Sequence, residues 1–372
     1  MASANRIDLL DSCRGVAAMV VVIHHIHVLF PDTIRTISGF SELTGNLIIF
    51  ISGLNKEAVL FFFILSGFAI ALSSGRINLT TRSGINTYLY KRFKRILPLY
   101  WFALALTALC GFVGQWTDDP SFSWYHFSGN LFMMQASSIT QGVWFIPFGK
   151  NGPLWSISYE MFYYLFFIGW IFLSVRYKNR WVSDQNLFLA AVALSVLAVG
   201  FQRLIFIPWT FFMNSFAIWY MGVYLLQLYR EKQTNHLLFT FLAAGLFTID
   251  LVGYFNPDLK LAHLSDTLNQ LKNGLWIGVL FYAVYAFWIY RPATGNHLLL
   301  HWFNRIWQPI GDGSYTIYLI HYPVLLLASE LAGDHLLIVF LVTGLLMIAS
   351  VFIERQVVKQ PFLWLKRPYL RA

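Results

Sequence analysis

The chain has 372 residues, of which 58% are hydrophobic and only 12% are charged. A soluble domain carries about 25% charged residues, so this composition excludes an ordinary soluble protein and indicates a membrane protein with several spans. The formal net charge is +9, but the basic residues cluster between apolar runs, which indicates membrane topology and gives no support to nucleic-acid binding.

Apolar segments predict an all-α fold, a polytopic membrane bundle of about ten transmembrane helices. These segments lie near residues 9–30, 57–75, 96–115, 154–174, 187–204, 208–228, 236–254, 273–291, 312–331 and 335–355. A further apolar piece, 126–136, is too short to span, and we expect it to re-enter the membrane or to pack against the bundle. The cysteines, Cys13 and Cys110, lie in apolar segments and predict no disulfide framework.

The distribution of lysine and arginine predicts the orientation. Most of the 26 basic residues fall on the side that carries both chain ends. The positive-inside rule then places the N- and C-termini in the cytoplasm. No cleavage site follows the first apolar segment, so we expect it to remain as an anchor. Residues 1–372 are expected to form one membrane-embedded domain without an appended soluble domain.

Arg14 and His25 lie in the first apolar segment and are the first candidate functional pair. Their spacing of eleven positions leaves a net helical rotation of roughly 20° and a rise of about 16 Å, so both project from one face. Ionisable side chains in hydrocarbon usually face a protein interior or a wet cavity and have a function. From position alone, His25 is either a structural hydrogen-bonded histidine or a catalytic base.

His24 and His27 are rotated away from the Arg14 face and are expected near the outer membrane interface. Adjacent residues diverge on a helix, so a zinc site built from His24, His25 and His27 is geometrically poor, and we expect no metal.

A basic run, Lys91-Arg92-Phe93-Lys94-Arg95, stands directly before a predicted span. Such a run is partly a topology signal that binds lipid headgroups. Arg92 and Arg95 are three positions apart and therefore neighbours on a helix. Two adjacent guanidinium groups suit a phosphate-rich ligand.

Glu160 lies inside the outer end of its predicted helix, with Ser156 and Tyr164 four positions away on either side. A carboxylate at this depth is protonated, paired with a cation or catalytic. The predicted topology puts Glu160 and His25 in the same half of the membrane, and a carboxylate commonly orients a histidine base. We therefore expect Glu160 to face His25.

The last two candidates lie near the end of the chain. His321 is predicted to be buried mid-span, with Pro323 ending or kinking the turn beside it. A structural hydrogen-bonded histidine is the simplest interpretation of His321. Glu354 is expected to form a structural salt bridge near Asp11 and Arg14.

Five segments together resemble the acyltransferase-3 family of integral-membrane O-acyltransferases. They are Leu10-Asp11 with Arg14-Gly15 and His25, Phe63-Ile64-Leu65-Ser66-Gly67-Phe68, Arg92 to Trp101, Trp155 to Glu160, and Ser314-Tyr315 through His321-Tyr322-Pro323. Each motif alone is weak, whereas five in order across nearly the whole chain are specific. The chain has Asp11-Ser12-Cys13-Arg14-Gly15 and His321-Tyr322-Pro323 where family members often have Asp-Gly-Leu-Arg-Gly and His-Trp-Pro.

The resemblance implies transfer of an acyl group, usually acetyl, from cytoplasmic acetyl-CoA to a hydroxyl of a polysaccharide, lipopolysaccharide or related glycan. The catalytic residues would be His25, Glu160 and Arg14, and coenzyme A would be held by Arg92, Arg95 and Arg14. Substrate contacts are expected from Trp155, Ser158, Tyr164 and His321. The partners would be acyl-CoA, a glycan or glycolipid acceptor and membrane lipids, and the location a bacterial inner membrane.

Two other classes of protein remain open from the sequence. A proton-coupled transporter would also place histidine and glutamate within the membrane, although no inverted repeat or paired broken helices are visible. A flippase for a glycan precursor would need no thioester site. Acetyl-CoA-dependent labelling of an acceptor separates the enzyme from both.

Overall fold

The computed structural model describes residues 8–75, 77–136, 143–176, 183–204, 210–255, 266–289 and 297–359. In these ranges the chain forms α-helices and short turns, with no β-strand, which confirms the predicted all-α class. The helices are α1 (Asp8–Leu29), α2 (Pro31–Phe40), α3 (Glu42–Gly53), α4 (Asn55–Ser74), α5 (Arg82–Val113), α6 (Trp124–Leu131), α7 (Trp155–Arg176), α8 (Asp184–Leu204), α9 (Thr210–Met213), α10 (Phe216–Glu231), α11 (His236–Phe255), α12 (Asp266–Ile289), α13 (His297–Gly311), α14 (Ser314–Ala332) and α15 (Leu336–Glu354).

Nine candidate spans in the described ranges are long and apolar enough to cross a membrane. They include α1, α4, α5, α7, α8, α10, α11, α14 and α15. The eighth predicted segment, 273–291, is helical up to Ile289 as part of α12 but is not one of the nine candidate spans. The cytoplasmic position of the termini stays a prediction.

Internal contacts divide the chain into two compact units. Within the described residues, the first unit contains Lys56–Tyr88 and Tyr159–Asn296, and the second contains Arg6–Asn55, Leu89–Ser158 and His297–Ala372. Boundaries therefore fall inside α5 and α7 and after the first residue of α4. The assignment of residues 1–372 to one functional domain stays a prediction.

In the first unit, α4 and α10 approach closely because each supplies a glycine. A Cβ atom on Gly67 would collide with the carbonyl oxygen of Trp219, and one on Gly222 would collide with that of Ile64. Small residues allow membrane helices to pack backbone against backbone, which partly replaces the hydrophobic driving force that lipid removes. The contact buries the indole of Trp219 completely.

In the second unit, α1 packs along α13 through a similar pair of glycines. A Cβ atom on Gly15 would collide with the carbonyl oxygen of Trp307, and one on Gly311 would collide with that of Asp11. The Ser12 hydroxyl also donates to Asn304 Oδ1 at 2.8 Å. These contacts fix α1, which carries both Arg14 and His25.

Helix α13 is absent from the predicted elements, although its sequence is periodic. The residues of α13 that face α1 recur at helical spacing: Asn304, Trp307, Gln308 and Gly311. Three of them, Asn304, Trp307 and Gly311, make the contacts to α1 given in the preceding paragraph. Gln308 donates to Asp8 Oδ1 at 2.8 Å. The opposite face exposes apolar residues that include Trp302, so the sequence pattern resembles an interfacial helix more than a span.

The short segment 126–136 packs against α5, one of the two alternatives expected for it. Its helix is α6, and Tyr100 of α5 donates to the carbonyl oxygen of Asn130 at 2.8 Å. The fully buried Asn130 side chain donates to the carbonyl oxygens of His126 and Ile146, both at 2.8 Å. Helix α6 is thus tied to the loop that contains Ile146.

The glycine contact between α1 and α13 predicts a specific sensitivity. Gly311→Val should destabilise the protein by roughly 1–3 kcal/mol, because the new side chain meets the Asp11 carbonyl and the helices must separate. Gly344→Val is the matched control, since a Cβ atom on Gly344 of α15 meets nothing within 4 Å. Thermal unfolding of both purified variants in detergent measures the difference. Equal stability of the two variants would contradict the assigned packing.

Candidate active site

His25 and His321 form a hydrogen-bonded pair in the second unit. Nδ1 of His25 lies 3.0 Å from Nε2 of His321, although the two residues are far apart in the chain. The rings are tilted, with centroids 4.9 Å apart. His321 is fully buried, whereas His25 retains partial exposure. The hydrogen-bond partner of His25, a residue of α1, is therefore His321 of α14.

The hydrogen-bond network assigns the protons of the pair. Nδ1 of His321 lies 3.0 Å from the carbonyl oxygen of Ile317 and 2.9 Å from that of Tyr318, so it carries a hydrogen. Nδ1 of His25 lies 3.0 Å from the carbonyl oxygen of Val21, so it also carries one. In the neutral pair, the single Nδ1 hydrogen of His25 is therefore shared between the carbonyl oxygen of Val21 and the bare Nε2 of His321.

This assignment leaves Nε2 of His25 with a lone pair. No other described residue forms a hydrogen bond with that nitrogen. The ring is held from the side by Tyr322, whose ring is perpendicular to it at a centroid distance of 4.9 Å. The arrangement has the geometry of a general base. The Nδ1 nitrogen is fixed by hydrogen bonds, and Nε2 keeps a lone pair that can accept a proton.

His24 and His27 have a different environment from His25. Nδ1 of His27 lies 2.8 Å from the Ser52 hydroxyl, and Nδ1 of His24 lies 3.0 Å from the Ser52 carbonyl oxygen. Both histidines are thus tied to α3, a helix that the sequence analysis did not predict. His25 thus bonds to α14 while His24 and His27 bond to α3, although the His24 and His25 rings stay in edge contact with centroids 5.0 Å apart.

Glu160 is the centre of a second polar cluster, in the first unit. Its Oε1 accepts hydrogen bonds from the hydroxyl groups of Ser66 and Tyr164. These two hydroxyls are 3.0 Å apart, and the indole of Trp219 donates to Ser66 at 3.3 Å. Tyr164 lies on the Glu160 face, as its spacing predicts.

The described partners of Glu160 all bind one of its carboxylate oxygens. Oε2 has no hydrogen bond to the described residues, and the side chain is only partly buried. Oε1 is therefore held by two hydroxyl groups, and Oε2 is available to a further hydrogen-bond donor. Glu160 and His25 belong to different units, so the pairing of these two residues stays a prediction.

The remaining members of the α7 motif are mainly structural. The Ser158 hydroxyl is buried and donates to the carbonyl oxygens of Gln135 and Trp155. The Ser156 hydroxyl donates to Tyr318 at 2.8 Å. Both hydroxyls are thus bonded within the protein, and the predicted contacts of Ser158 and Trp155 with substrate stay predictions. Trp155 is partly exposed.

Glu354 caps the beginning of α14. Its Oε2 accepts hydrogen bonds from the backbone N–H and the hydroxyl of Thr316, both at 3.1 Å. The first N–H groups of a helix have no partner within the helix, and a carboxylate there also favours the helix dipole. The predicted structural role of Glu354 thus takes a more specific form than a surface salt bridge.

Arg14 and Arg95 both act electrostatically on the Glu354 carboxylate. Arg14 also pairs with Asp11, with Nη1 3.1 Å from Oδ1. Arg92 is buried, whereas Arg95 is exposed, so the two predicted phosphate-binding residues occupy unlike positions. The structure thus groups Arg14, Arg95 and Glu354 in one unit with the histidine pair.

His321 has a defined set of hydrogen-bond partners, and its predicted contact with substrate stays a prediction. Both of its ring nitrogens are engaged, one with backbone carbonyls and one with His25, so its geometry is that of a partner to the base. A helical wheel shows which face His321 occupies but not which helix it meets. Ser66 and Thr316, which hold the two carboxylates, were likewise not singled out as site residues.

Comparisons with known proteins give one family and two distant relatives. The profile of a family described as an acyltransferase domain matches residues 7–355. The chain is 28% identical over 150 residues to the exopolysaccharide production protein ExoZ of Rhizobium meliloti (strain 1021), which covers 40% of this chain and 44% of that protein. It is 27% identical over 201 residues to the acyltransferase MdmB of Streptomyces mycarofaciens, which covers 53% of this chain and 46% of that protein.

The chain therefore spans less than half the length of each of these relatives. No solved structure matches it.

The proton assignment of the histidine pair can be measured directly. Nitrogen NMR of the protein labelled with ¹⁵N-histidine should show that His25 and His321 are both neutral and protonated on Nδ1. The signals are assigned by their loss in His25→Gln and His321→Gln. A proton on Nε2 of neutral His25 would contradict the assignment, because that nitrogen would then have no lone pair to act as a base.

Proposed function

We propose that this chain, which belongs to the acyltransferase-3 family, is a membrane O-acetyltransferase that acts on a glycan. The donor would be cytoplasmic acetyl-CoA, and the acceptor a sugar hydroxyl of a surface polysaccharide, lipopolysaccharide or related glycan. The observation that carries the proposal is the presented Nε2 of His25, backed by the hydrogen bond to His321. The proposed location is a bacterial inner membrane.

In the proposed reaction, His25 acts as general base. Its Nε2 takes the proton from the acceptor hydroxyl while the hydroxyl oxygen attacks the thioester carbonyl. The carbon–sulfur bond then breaks, and the coenzyme A thiolate leaves and is protonated. A transient acyl-histidine on the same nitrogen is a second route. Nε2 attacks the thioester carbonyl, the carbon–sulfur bond breaks with release of the coenzyme A thiolate, and the acceptor hydroxyl then takes the acyl group from the imidazole while its proton passes to the freed Nε2.

His321 assists by accepting a hydrogen bond from the opposite side of the His25 ring. When Nε2 of His25 takes up a proton, the hydrogen on Nδ1 becomes more acidic, and the bare nitrogen of His321 is placed to stabilise it. The roles resemble those of the base and its orienting group in a catalytic triad, with an imidazole in place of the carboxylate.

The donor would be held by the arginines of the second unit. Arg95 is exposed, and Arg14 lies on α1, the helix that carries His25. Guanidinium groups bind phosphates through paired N–H donors, which suits the nucleotide end of coenzyme A. Arg92 would support the site from its buried position. Glu160 is proposed as a further catalytic group.

The glycan acceptor is suggested by one of the relatives. ExoZ is described as an exopolysaccharide production protein, and MdmB as an acyltransferase. A surface glycan is therefore the first acceptor to test. Mass spectrometry of glycans from cells with and without the protein should show an acetyl mass increment that depends on it. A transporter or flippase would instead change the amount of glycan without an acetyl-CoA-dependent increment.

The role of His25 predicts a large and selective loss of activity. His25→Ala should reduce acetyl transfer from labelled acetyl-CoA in membranes by about 10²- to 10⁴-fold, the usual loss when a general base is removed. His24→Ala and His27→Ala are matched controls on the same helix and should be much milder, since both histidines contact Ser52. Near-parental transfer by a correctly inserted His25→Ala protein would exclude the proposed base.

The arginine assignment predicts a change in donor affinity. The double variant Arg92→Lys/Arg95→Lys keeps the charge that directs insertion but loses the planar fork, so the KM for acetyl-CoA should rise. Initial rates at varied acetyl-CoA concentration measure this effect, with Lys91→Arg as the control for a charge-preserving change in the same run. An unchanged KM would place the donor site elsewhere.

A further inference from the structure

Pro323 leaves a backbone carbonyl in α14 without its usual partner. Proline has no N–H, so it cannot donate to the residue four positions earlier, which is Leu319. Helix α14 nevertheless continues from Ser314 to Ala332 through this position. Leu319 is completely buried, and a buried carbonyl without a donor is costly, most of all where no water is present.

Asn151 supplies the missing donor from outside the helix. Its Nδ2 donates to the carbonyl oxygen of Leu319 at 3.1 Å and to the hydroxyl oxygen of Thr107 at 2.9 Å. Thr107 uses its own hydrogen toward the carbonyl oxygen of Ala103 at 2.8 Å. Both partners of Asn151 are therefore acceptors, which fixes the orientation of the amide without ambiguity.

The backbone before Asn151 adopts an unusual conformation that places this side chain. Gly149 and Lys150 are both left-handed, with φ of 60° and 61°. Left-handed backbone is rare for lysine and persists only where the surroundings hold it. The Ser121 hydroxyl accepts from the Lys150 N–H at 2.9 Å, and the Lys150 side chain lies over the Trp116 ring and 3.7 Å from Glu330.

The same segment also holds Tyr318, the residue that precedes Leu319 in α14. The Tyr318 hydroxyl donates to the carbonyl oxygen of Pro153 at 3.0 Å, and the Ser156 hydroxyl donates to Tyr318. Residues 151–156 therefore bind Tyr318 and Leu319, in the turn that leads to His321. Since Nδ1 of His321 bonds to the carbonyl oxygen of Tyr318, any shift of this turn moves the ring that orients His25.

We propose that Asn151 is a positioning residue for the His25–His321 pair and acts through the Leu319 carbonyl that Pro323 leaves open. This inference rests on the proposed function, because it assigns Asn151 a part in preparing the base. Asn151 touches no reacting atom. Its part is to hold one turn of α14 in the place where His321 meets His25.

The chain contains a matched control for Asn151. Gln135 is another fully buried amide, and its Nε2 donates to the Tyr100 hydroxyl at 3.0 Å and to the carbonyl oxygen of Leu154 at 2.8 Å. Like Asn151, it joins α5 to the segment before α7. Its side chain makes no described bond to α14, so it separates a general loss of packing from a specific effect on the histidines.

The test measures the reactivity of His25 and needs no acceptor. Purified protein in detergent is treated with diethyl pyrocarbonate, which modifies unprotonated imidazole nitrogens. Mass spectrometry then gives the rate at His25 relative to His27 in the same molecule. Asn151→Leu removes the amide at similar volume and should lower this ratio at least about fivefold, on the scale of losing one buried hydrogen bond. Gln135→Met should leave the ratio unchanged.

Pro323→Ala provides the rescue. Alanine at this position restores an N–H that can donate to the Leu319 carbonyl within the helix, so Asn151→Leu should have little effect on the Pro323→Ala background. This non-additivity is what a shared hydrogen-bond acceptor requires. If Asn151→Leu alone does not fold, the comparison is made between Pro323→Ala and the double variant, which must then match in folding and in His25 reactivity.

Three results would overturn the proposal: a parental ratio in Asn151→Leu, an equal loss in Gln135→Met, or no rescue by Pro323→Ala. Acetyl transfer gives a second readout, in which Asn151→Leu should lower kcat while the KM for acetyl-CoA stays near the parental value. The experiments distinguish a failure of the proposed base His25 from a failure of the positioning role of Asn151. Full activity in His25→Ala would refute the proposed base, while the modification rates would still decide whether Asn151 positions the pair.

Discussion

Helix α14 contains backbone groups that its own residues do not satisfy, and the candidate site of the second unit depends on how the rest of the unit satisfies them. The Thr316 N–H at the beginning of the helix lacks a partner within it, and the Leu319 carbonyl lacks one because Pro323 follows. Glu354 supplies the acceptor for the first, and Asn151 supplies the donor for the second. In a bilayer, where water does not compete, such contacts determine where a helix is held.

The two histidines depend on this arrangement from different sides. His321 uses carbonyl oxygens of α14 to fix its proton, so the ring follows the backbone of that helix. His25 lies on α1, which is fixed by glycine contacts with α13. The hydrogen bond between the two rings thus joins two independently held helices, and a disturbance of either affects the pair.

Local sequence patterns predicted much of this molecule. Apolar length predicted most of the candidate spans, and helical rotation placed His24 and His27 on other faces of α1 than His25, in line with their bonds to α3. Spacing of four placed Tyr164 beside Glu160. These are properties of one helix at a time. The identity of the partner of His25 is not such a property, because α1 and α14 are almost the whole chain apart.

Two elements were not predicted for the same reason. Helix α13 is not among the ten predicted segments, because the search was for apolar runs long enough to span, whereas its periodic residues make contacts with α1. Pro323 indicated an interrupted hydrogen bond, but a sequence does not say that Asn151, preceded by two left-handed residues, supplies the donor. The family resemblance was confirmed by the match to residues 7–355, and it located motifs without giving the contacts between them.

An imidazole in the place of the orienting carboxylate has a consequence for the resting electrostatics of the membrane. A histidine paired with aspartate would keep a permanent negative charge in a medium of low dielectric constant, with a large self-energy that other groups would have to offset. Two neutral imidazoles carry no such charge at rest. A positive charge arises only while a proton is held, and it then lies between two rings instead of on one. The pair can thus sit within hydrocarbon without a resident counter-ion.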